Sequence, residues 1–461
     1  MPAFQAKQVE ALKSGISGTV IQPGDADYDA ARTIWNAMID KRPALIVRCL
    51  STSDVVQAVN FARTHKLSLA VRSGGHNIAG SALCDDGLVV DLSQMKAAKV
   101  DKGARRVTIE AGATLGDLDA ATQAHGLATP VGINSTTGVA GLTVGGGFGW
   151  LSRKYGLTID NLESAEVVTV AGEVVRASAT DHPDLFWAIR GGGGNFGIVT
   201  RFEFRLHPVG PDLLTGLIVY PIAQAKSVLQ QYRAFAAKAP DDLSVWVVLR
   251  KAPPLPFLPE AVHGTEVIIL ALCYAGDPKQ GEGLVEPLRH WGTPAGEFIG
   301  VQPYANWQQA FDPLLTPGAR NYWKSHNFTK LEDGLFDTVL ASIATLPSPQ
   351  CEIFFAGLGG ATSKPSAEST AYAARDAQFV MNVHGRWDTA ADDKRCIEWS
   401  RAFFKASAPF ATGGAYVNFM TSDESDRVQA AYGPNYKRLV ELKRKYDPDN
   451  VLATNQNIKP A

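Results

Sequence analysis

The stretch Leu67-Ser-Leu-Ala-Val-Arg72-Ser73-Gly74-Gly75-His76-Asn77 puts a histidine on a turn of two glycines at the end of a short apolar strand. The glycines free the backbone to turn sharply. Successive N–H groups in such a turn form a concave anion site, which Arg72 would reinforce by charge. His76 stands at its rim as a nucleophilic imidazole. From the hexapeptide alone, a hydrogen-bonded turn histidine reads equally well.

Composition narrows the classes. The chain has 461 residues, with 45% hydrophobic and 20% charged side chains, an ordinary soluble globular profile of two to three domains. A formal charge of −2 without basic clustering argues against nucleic acid or an anionic membrane as partner. Neither a signal-like apolar core at the N-terminus nor a membrane-length apolar run occurs. Cys49, Cys84, Cys273, Cys351 and Cys396 are scattered, without metal-ligand spacing, and read as free thiols in a reducing cytoplasm. No metal site is expected.

Ala44–Arg48, Leu67–Arg72, Leu88–Leu92, Arg106–Ile109 and Ala165–Val170 read as strands. A helix opens at Ser53-Asp54, and short helices follow at Leu115–Ala124 and Asp184–Arg190. The alternation lacks a strict βαβ rhythm, which favours α+β over a doubly wound sheet. Pro208–Asp212 marks a boundary. Beyond it, strand-like runs at Thr215–Tyr220, Leu243–Leu249, Val267–Tyr274 and Gln378–Val383 alternate with helical patterns at Ile222–Lys238 and Asp392–Ala406. This predicts an antiparallel sheet backed by helices. Tyr436–Tyr446 reads as a basic amphipathic helix.

Two more glycine clusters follow the first. One is Gly138-Val-Ala-Gly141-Leu142-Thr-Val-Gly145-Gly146-Gly147-Phe-Gly149, which continues to Leu157-Thr-Ile-Asp160-Asn161. The other is Arg190-Gly-Gly-Gly-Gly194-Asn195-Phe-Gly197-Ile198-Val199-Thr200. Bare glycine at this density lets backbone approach a flat or phosphorylated ligand. Gly192, Gly194 and Gly197 satisfy GxGxxG, but the motif follows a helix and opens a strand, the reverse of the dinucleotide-binding order. No phosphate loop of the ATPase type is present.

The order of these three loops, with a histidine on the first, resembles the FAD-linked oxidases of the vanillyl-alcohol oxidase superfamily. Within it, the berberine-bridge-enzyme-like branch of the bacterial, 6-hydroxynicotine oxidase type is most similar. The resemblance extends to Ala415-Tyr416-Val417-Asn418-Phe419, Tyr432-Gly-Pro-Asn435, Tyr446-Asp-Pro-Asp-Asn450 and Asn455-Gln-Asn-Ile458. It implies a split FAD-binding domain (residues 1–207 and 411–461) around a substrate-binding domain (208–410). It further implies FAD joined covalently through His76. The first loop, with Arg72, Ser73, Gly74, Gly75, Asn77 and Ser81, would hold the pyrophosphate. Gly194 to Val199 would pass near the adenine. Cofactor contacts are also expected from Gly138, Gly141, Leu142, Gly145–Gly147, Gly149, Leu157, Asp160, Asn161, Asn195, Tyr416, Asn418 and Asn455. Many relatives carry a second, cysteinyl tether, but Asn134 occupies that position here, so a single link is expected.

On the substrate side, the resemblance places Tyr416 toward the flavin, where it would assist proton removal. In Gln378-Phe-Val380-Met-Asn382-Val-His384, alternation puts residues 380, 382 and 384 on one face. Alkaloid-cyclising relatives have a carboxylate base near Val380, and its absence puts that reaction in doubt. Asn382 and His384 are the candidates left, although His384 reads more simply as an ordinary strand histidine. Asn321-Tyr-Trp-Lys-Ser-His326 gathers aromatic and polar groups, or core aromatics with a snorkelling lysine. The implied activity is hydride transfer from a small alcohol, sugar or amine to FAD, with O2 reduced to H2O2. The alternatives are a dehydrogenase with another acceptor and a catalytically silent binding protein. The expected setting is cytoplasmic, as a monomer or homodimer.

Overall fold

The Gly-Gly-His turn leaves the edge of a four-stranded sheet. The computed structural model, which describes residues 4–461, orders its strands Thr19–Ile21, Leu45–Arg48, Leu88–Asp91, Leu69–Arg72. The last three are mutually parallel, and the helix Thr52–Thr64 makes the crossover. Its N-cap, Ser51, accepts from Asp54 N–H at 3.2 Å, satisfying one of the free amides of the first turn. Val55, Ala58, Val59 and Ala62 are buried at helical spacing on its inner face.

A second, five-stranded antiparallel sheet runs Ala98–Asp101, Arg106–Glu110, Ile198–Arg205, Leu162–Val168, Val174–Ser178. Its central strand starts where the third glycine cluster ends, and the helix Pro183–Ile189 precedes that cluster. The helix–loop–strand order predicted there is the observed one.

The third sheet has seven antiparallel strands. Their order is Gly296–Pro303, Asp212–Pro221, Glu266–Tyr274, Leu243–Lys251, Glu352–Gly357, Phe379–Trp387, Arg320–Phe328. Alternation divides its faces. Leu243, Val245, Val247, Ile353, Phe355, Met381 and Val383 pack under helices Ala225–Ala236, Asp333–Ile343 and Asp393–Ser407. Trp246, Ala271, Ala356 and Val380 face the other way, toward Phe148, Trp150 and Tyr416. The α+β class and the helix-backed antiparallel sheet are thus as expected. The runs at Gly296–Pro303 and Glu352–Gly357 are strands that periodicity did not reveal. Tyr416 lies in no strand; it precedes a single 3₁₀ turn, Val417–Phe419.

The C-terminal segment returns to the N-terminal core. Leu439, Leu442, Leu452 and Ile458 are buried with Ala188, Ile189 and Phe196. The anchor is Lys443, fully buried, which donates to Asp447 Oδ2 at 2.6 Å, Asn195 O at 3.1 Å and Leu452 O at 3.0 Å. Asp447 in turn accepts from the Val451 and Leu452 N–H groups at 2.7 and 2.8 Å. Among the described residues, no helix is long and apolar enough to cross a membrane, and no cluster of His, Cys, Asp and Glu has metal-ligating geometry.

Removing one member of such a buried pair strands the other. Lys443→Met is therefore expected to cost about 3 kcal/mol or more in denaturant unfolding, whereas a mutation of the exposed pair Lys330–Glu332 should cost less than about 1 kcal/mol.

Candidate active site

Three glycine loops meet at one place because their backbones touch. A Cβ on Gly74 would lie 2.3 Å from Gly138 N, and one on Gly138 would lie 2.3 Å from Gly74 N, so neither position has room for a side chain. The second and third loops are joined by Gly191 and Gly193, whose N–H groups both donate to Val144 O at 3.1 and 2.9 Å. Asn455 Nδ2 then clamps the third loop through Gly194 O at 2.9 Å.

These loops floor a cavity of about 400 Å³, and the inner face of the seven-stranded sheet roofs it. Of the residues expected to hold cofactor, Ser73, Gly74, Gly75, His76, Asn77, Ser81, Gly138, Gly141, Leu142, Gly194, Gly197, Ile198, Val199, Tyr416, Asn418 and Asn455 line it. Arg72, Gly145, Gly146, Gly147, Gly149, Leu157, Asp160, Asn161 and Asn195 do not, and each has a supporting place instead. Arg72 donates to Ala31 O. Gly145 packs under Asn418, Gly146 against the Tyr372 ring, Gly147 against Thr158 and Gly149 against Val131 O. Leu157 is core, and its N–H is held by Asp160, which Arg375 grips through two bonds of 2.8 Å. Asn161 bonds Tyr155 O, Leu157 O and His207, while Asn195 bonds Gly192 O and Ile458 N.

The floor fits a flat, phosphate-bearing group. An added Cβ on Gly141 meets nothing within 4 Å, and one on Gly194 meets only Asn455 Nδ2 at 3.9 Å, so bare backbone opens onto the cavity at both. Asn455 Oδ1, in the cavity lining, is buried without a partner.

His76 is half-buried beside this floor, stacked on Trp35 at 5.2 Å between ring centres. Burial pulls its imidazole down to about 4, so the ring is neutral at physiological pH. Trp35 meets Trp323 at 5.7 Å, and Trp323 meets His384 at 4.5 Å, so one aromatic row runs from floor to roof.

On the roof, strand register lines up Arg250, Glu352, His384 and Trp323 across four adjacent strands. Arg250 Nη1 donates to Glu352 Oε2 at 2.6 Å. His384 Nδ1 lies 3.2 Å from Glu352 Oε1, and its Nε2 lies 3.3 Å from Asn321 Oδ1. Asn321 Nδ2 is committed to Ala319 O at 2.8 Å, so both imidazole nitrogens face oxygen acceptors. Burial would raise Glu352, but the charges of Arg250, His384 and Arg386 hold it below the ordinary carboxylate range. Burial also pulls His384 below its ordinary range, against the opposing pull of Glu352. A neutral ring satisfies one of the two acceptors; a protonated ring satisfies both. The pair is built to take up a proton.

Tyr416 Oη accepts from Gly147 N–H at 3.1 Å and Asn418 Nδ2 at 3.0 Å, and burial pushes the phenol up to about 12. It is a protonated hydroxyl at neutral pH, which turns the reading of it as the base into one of hydrogen-bond donor. Both side-chain polar atoms of Asn382 are buried in the cavity wall without partners. Glu352 and Arg250 went unremarked in the sequence; the alternation of Leu243–Lys251 would have put Arg250 on the Trp246 face. A carboxylate does line the cavity, Glu352 on the adjacent strand, but it stands opposite His384, whereas Val380 stands opposite Ala356. From the segment Asn321–His326, only Trp323 lines the cavity. Lys324 turns to Asp423 and Glu424 at 2.8 and 3.3 Å on the opposite face.

Residues 43–178 match the FAD binding domain family model, and residues 415–459 match the model described as berberine and berberine like. A FAD-linked oxidoreductase from Dictyostelium discoideum is 34% identical, over 96% of this chain and 95% of that protein. The chain belongs to the berberine-bridge-enzyme-like FAD-linked oxidoreductases. (R)-6-hydroxynicotine oxidase from Paenarthrobacter nicotinovorans is 31% identical over 96% of this chain and 97% of its own length. The crystal structure of 6-hydroxy-D-nicotine oxidase from Arthrobacter nicotinovorans superposes with a TM-score of 0.86 at 29% identity, covering 97% of this chain and 98% of that one. The moss (Physcomitrella patens) BBE-like 1 structure gives 0.87 at 25% identity, covering 97% of each chain. This berberine-bridge-enzyme-like chain is therefore a FAD-dependent oxidoreductase.

In this oxidoreductase the Gly74–Gly138 contact leaves no room for a methyl group. Gly138→Ala should yield protein with native far-ultraviolet circular dichroism that retains less than about a tenth of the wild-type FAD, since separating the loops opens backbone contacts no side chain can replace.

Proposed function

We propose that the protein is an oxidase that holds FAD by a single covalent link from His76 and oxidises a small alcohol or amine with a flat, apolar body. The convergence that supports this is a neutral histidine on the cavity floor facing a proton-accepting Glu352–His384 pair on its roof. When bound, FAD supplies a two-electron acceptor for hydride and passes the electrons to O2, releasing H2O2. The residues that would hold it are Ser73–Asn77, Gly138, Gly141, Leu142, Gly194, Gly197–Val199, Asn418 and Asn455. Asn134, where relatives carry a second cysteinyl tether, has no thiol to offer, and the five cysteines are all buried elsewhere.

The walls around the remaining space are Trp150, Trp246, Phe148, Phe354, Phe419, Leu217, Val248 and Ile269. Such walls favour an apolar body over a bare polyol, whose hydroxyls would go unpaired. On the sheet the polar groups of the lining are Arg250, Glu352, Asn382 and His384. Asn382 is free to hold the substrate's oxygen or nitrogen, and Glu352–His384 takes the proton of that O–H or N–H group while the C–H hydrogen leaves as hydride. Arg250 keeps Glu352 ionised, and Trp323 packs edge-on against His384 to fix the ring. The Tyr416 hydroxyl accepts from Gly147 N–H and Asn418 Nδ2, which leaves its own hydrogen to donate to a bound group.

A screen of aromatic and aliphatic amines and alcohols for anaerobic bleaching of the flavin absorbance, followed by H2O2 release in air, tests this reading. Failure of every apolar candidate while sugars bleach the flavin would refute the substrate class. For a competent substrate, kcat/KM should be flat near neutrality and fall only at a pH below the ordinary imidazole range, because burial lowers His384 and delays protonation of the pair. Glu352→Gln should lower the plateau by about 100-fold. It should also move the acid limb to lower pH, because the carboxylate that favours the imidazolium is gone. Tyr416→Phe should lower kcat/KM by about tenfold and leave the acid limb in place.

A further inference from the structure

Asn134 and Thr136 sit beside His76, and neither has a part in the oxidation described above. Thr136 N–H donates to Asn134 Oδ1 at 3.0 Å. A backbone N–H can only donate, so the side-chain atom it meets is the amide oxygen and not the nitrogen. Thr136 Oγ1 lies 2.6 Å from that same oxygen, which commits the hydroxyl hydrogen to it. Oγ1 then has only lone pairs to offer its other neighbour, His76 Nε2, at 2.9 Å. Nε2 therefore carries the ring hydrogen. A neutral imidazole has one such hydrogen, so Nδ1 is left with its lone pair.

The relay is held from outside. Ser135, between the two residues, donates its N–H to Asp312 Oδ1 at 3.0 Å and its hydroxyl to Asp312 Oδ2. The Gly74–Gly138 contact fixes the distance between the His76 and Thr136 loops, and Trp35 fixes the plane of the ring.

We infer that Asn134 and Thr136 are positioning residues for cofactor attachment: they set the tautomer of His76 so that Nδ1 is the nitrogen joined to FAD. This rests on the reading of His76 as the tether. In the attachment, the bond from Nδ1 to the 8α carbon forms and a C–H bond at that carbon breaks. One proton leaves from the 8α carbon and one from Nε2. The two electrons pass through the flavin ring to O2, which the proposed oxidase reaction already uses, and H2O2 results.

The test is to digest the holoenzyme, isolate the flavinyl peptide and record long-range proton–carbon correlations by NMR. The 8α-methylene protons should correlate with Cγ and Cε1 of His76; correlation with Cδ2 and Cε1 would mean attachment at Nε2 and would overturn the inference. In parallel, the acid-stable share of bound FAD is measured in Thr136→Ser and Thr136→Val proteins harvested at a fixed early time. Serine should match the wild type. Valine should lower the share by about fivefold, the population change that one hydrogen bond sets. Equal shares for serine and valine, with one and the same linkage, would also overturn it. Wild-type FAD released entirely by acid would instead sink the His76 tether itself, a different failure from attachment at the wrong nitrogen.

Discussion

Gly74 and Gly138 meet backbone to backbone, and most of what the site does depends on that contact. It is a steric constraint and not a strong bond: each position would place a Cβ 2.3 Å from the other's amide nitrogen. Because the loops close to this distance, His76 on the first lies within hydrogen-bond reach of Thr136 on the second. The third loop is tied to the second through Val144 O, and the C-terminal segment is tied to the third through Asn455 and Lys443. A cavity floor made from four distant parts of the chain thus rests on a few contacts between bare backbones.

The seven-stranded sheet contributes the opposite wall by a simple periodicity. Its even alternation sends one set of side chains into the helix-covered core and the other toward the floor. The antiparallel register then places Arg250, Glu352, His384 and Trp323 in one row, so residues up to about 130 positions apart in the chain meet on four adjacent strands. In a low-dielectric wall, ionised Glu352 is tolerable because Arg250 pairs with it, and His384 lies between two acceptors. Trp35 and Trp323 connect this row to His76, so floor and roof are braced against each other by aromatic contact rather than by charge.

Local signals carried much of this into the sequence. Gly-Gly-His after an apolar strand, and a glycine run that follows a helix and opens a strand, are features of a few consecutive residues, and the structure keeps both. The basic helix Tyr436–Tyr446 is likewise where its periodicity put it. What was not legible is non-local. Glu352 starts a strand whose inner face becomes polar only through pairing with His384 and Arg250. Arg72, Asp160 and Asn195 look like ligand contacts by their place in glycine clusters, yet Arg72 bonds Ala31 O, Asp160 is gripped by Arg375, and Asn195 bonds Gly192 O and Ile458 N. A glycine cluster announces close approach of backbone; it does not say whether the approaching partner is a cofactor or another loop.

The covalent tie between His76 and FAD is the claim on which the account turns. Denaturing the purified protein with acid and separating pellet from supernatant tests it directly. The account predicts yellow colour in the wild-type pellet and a colourless pellet for His76→Ala. Colour that stays in the pellet of the His76→Ala protein, or that leaves the wild-type pellet, would contradict it.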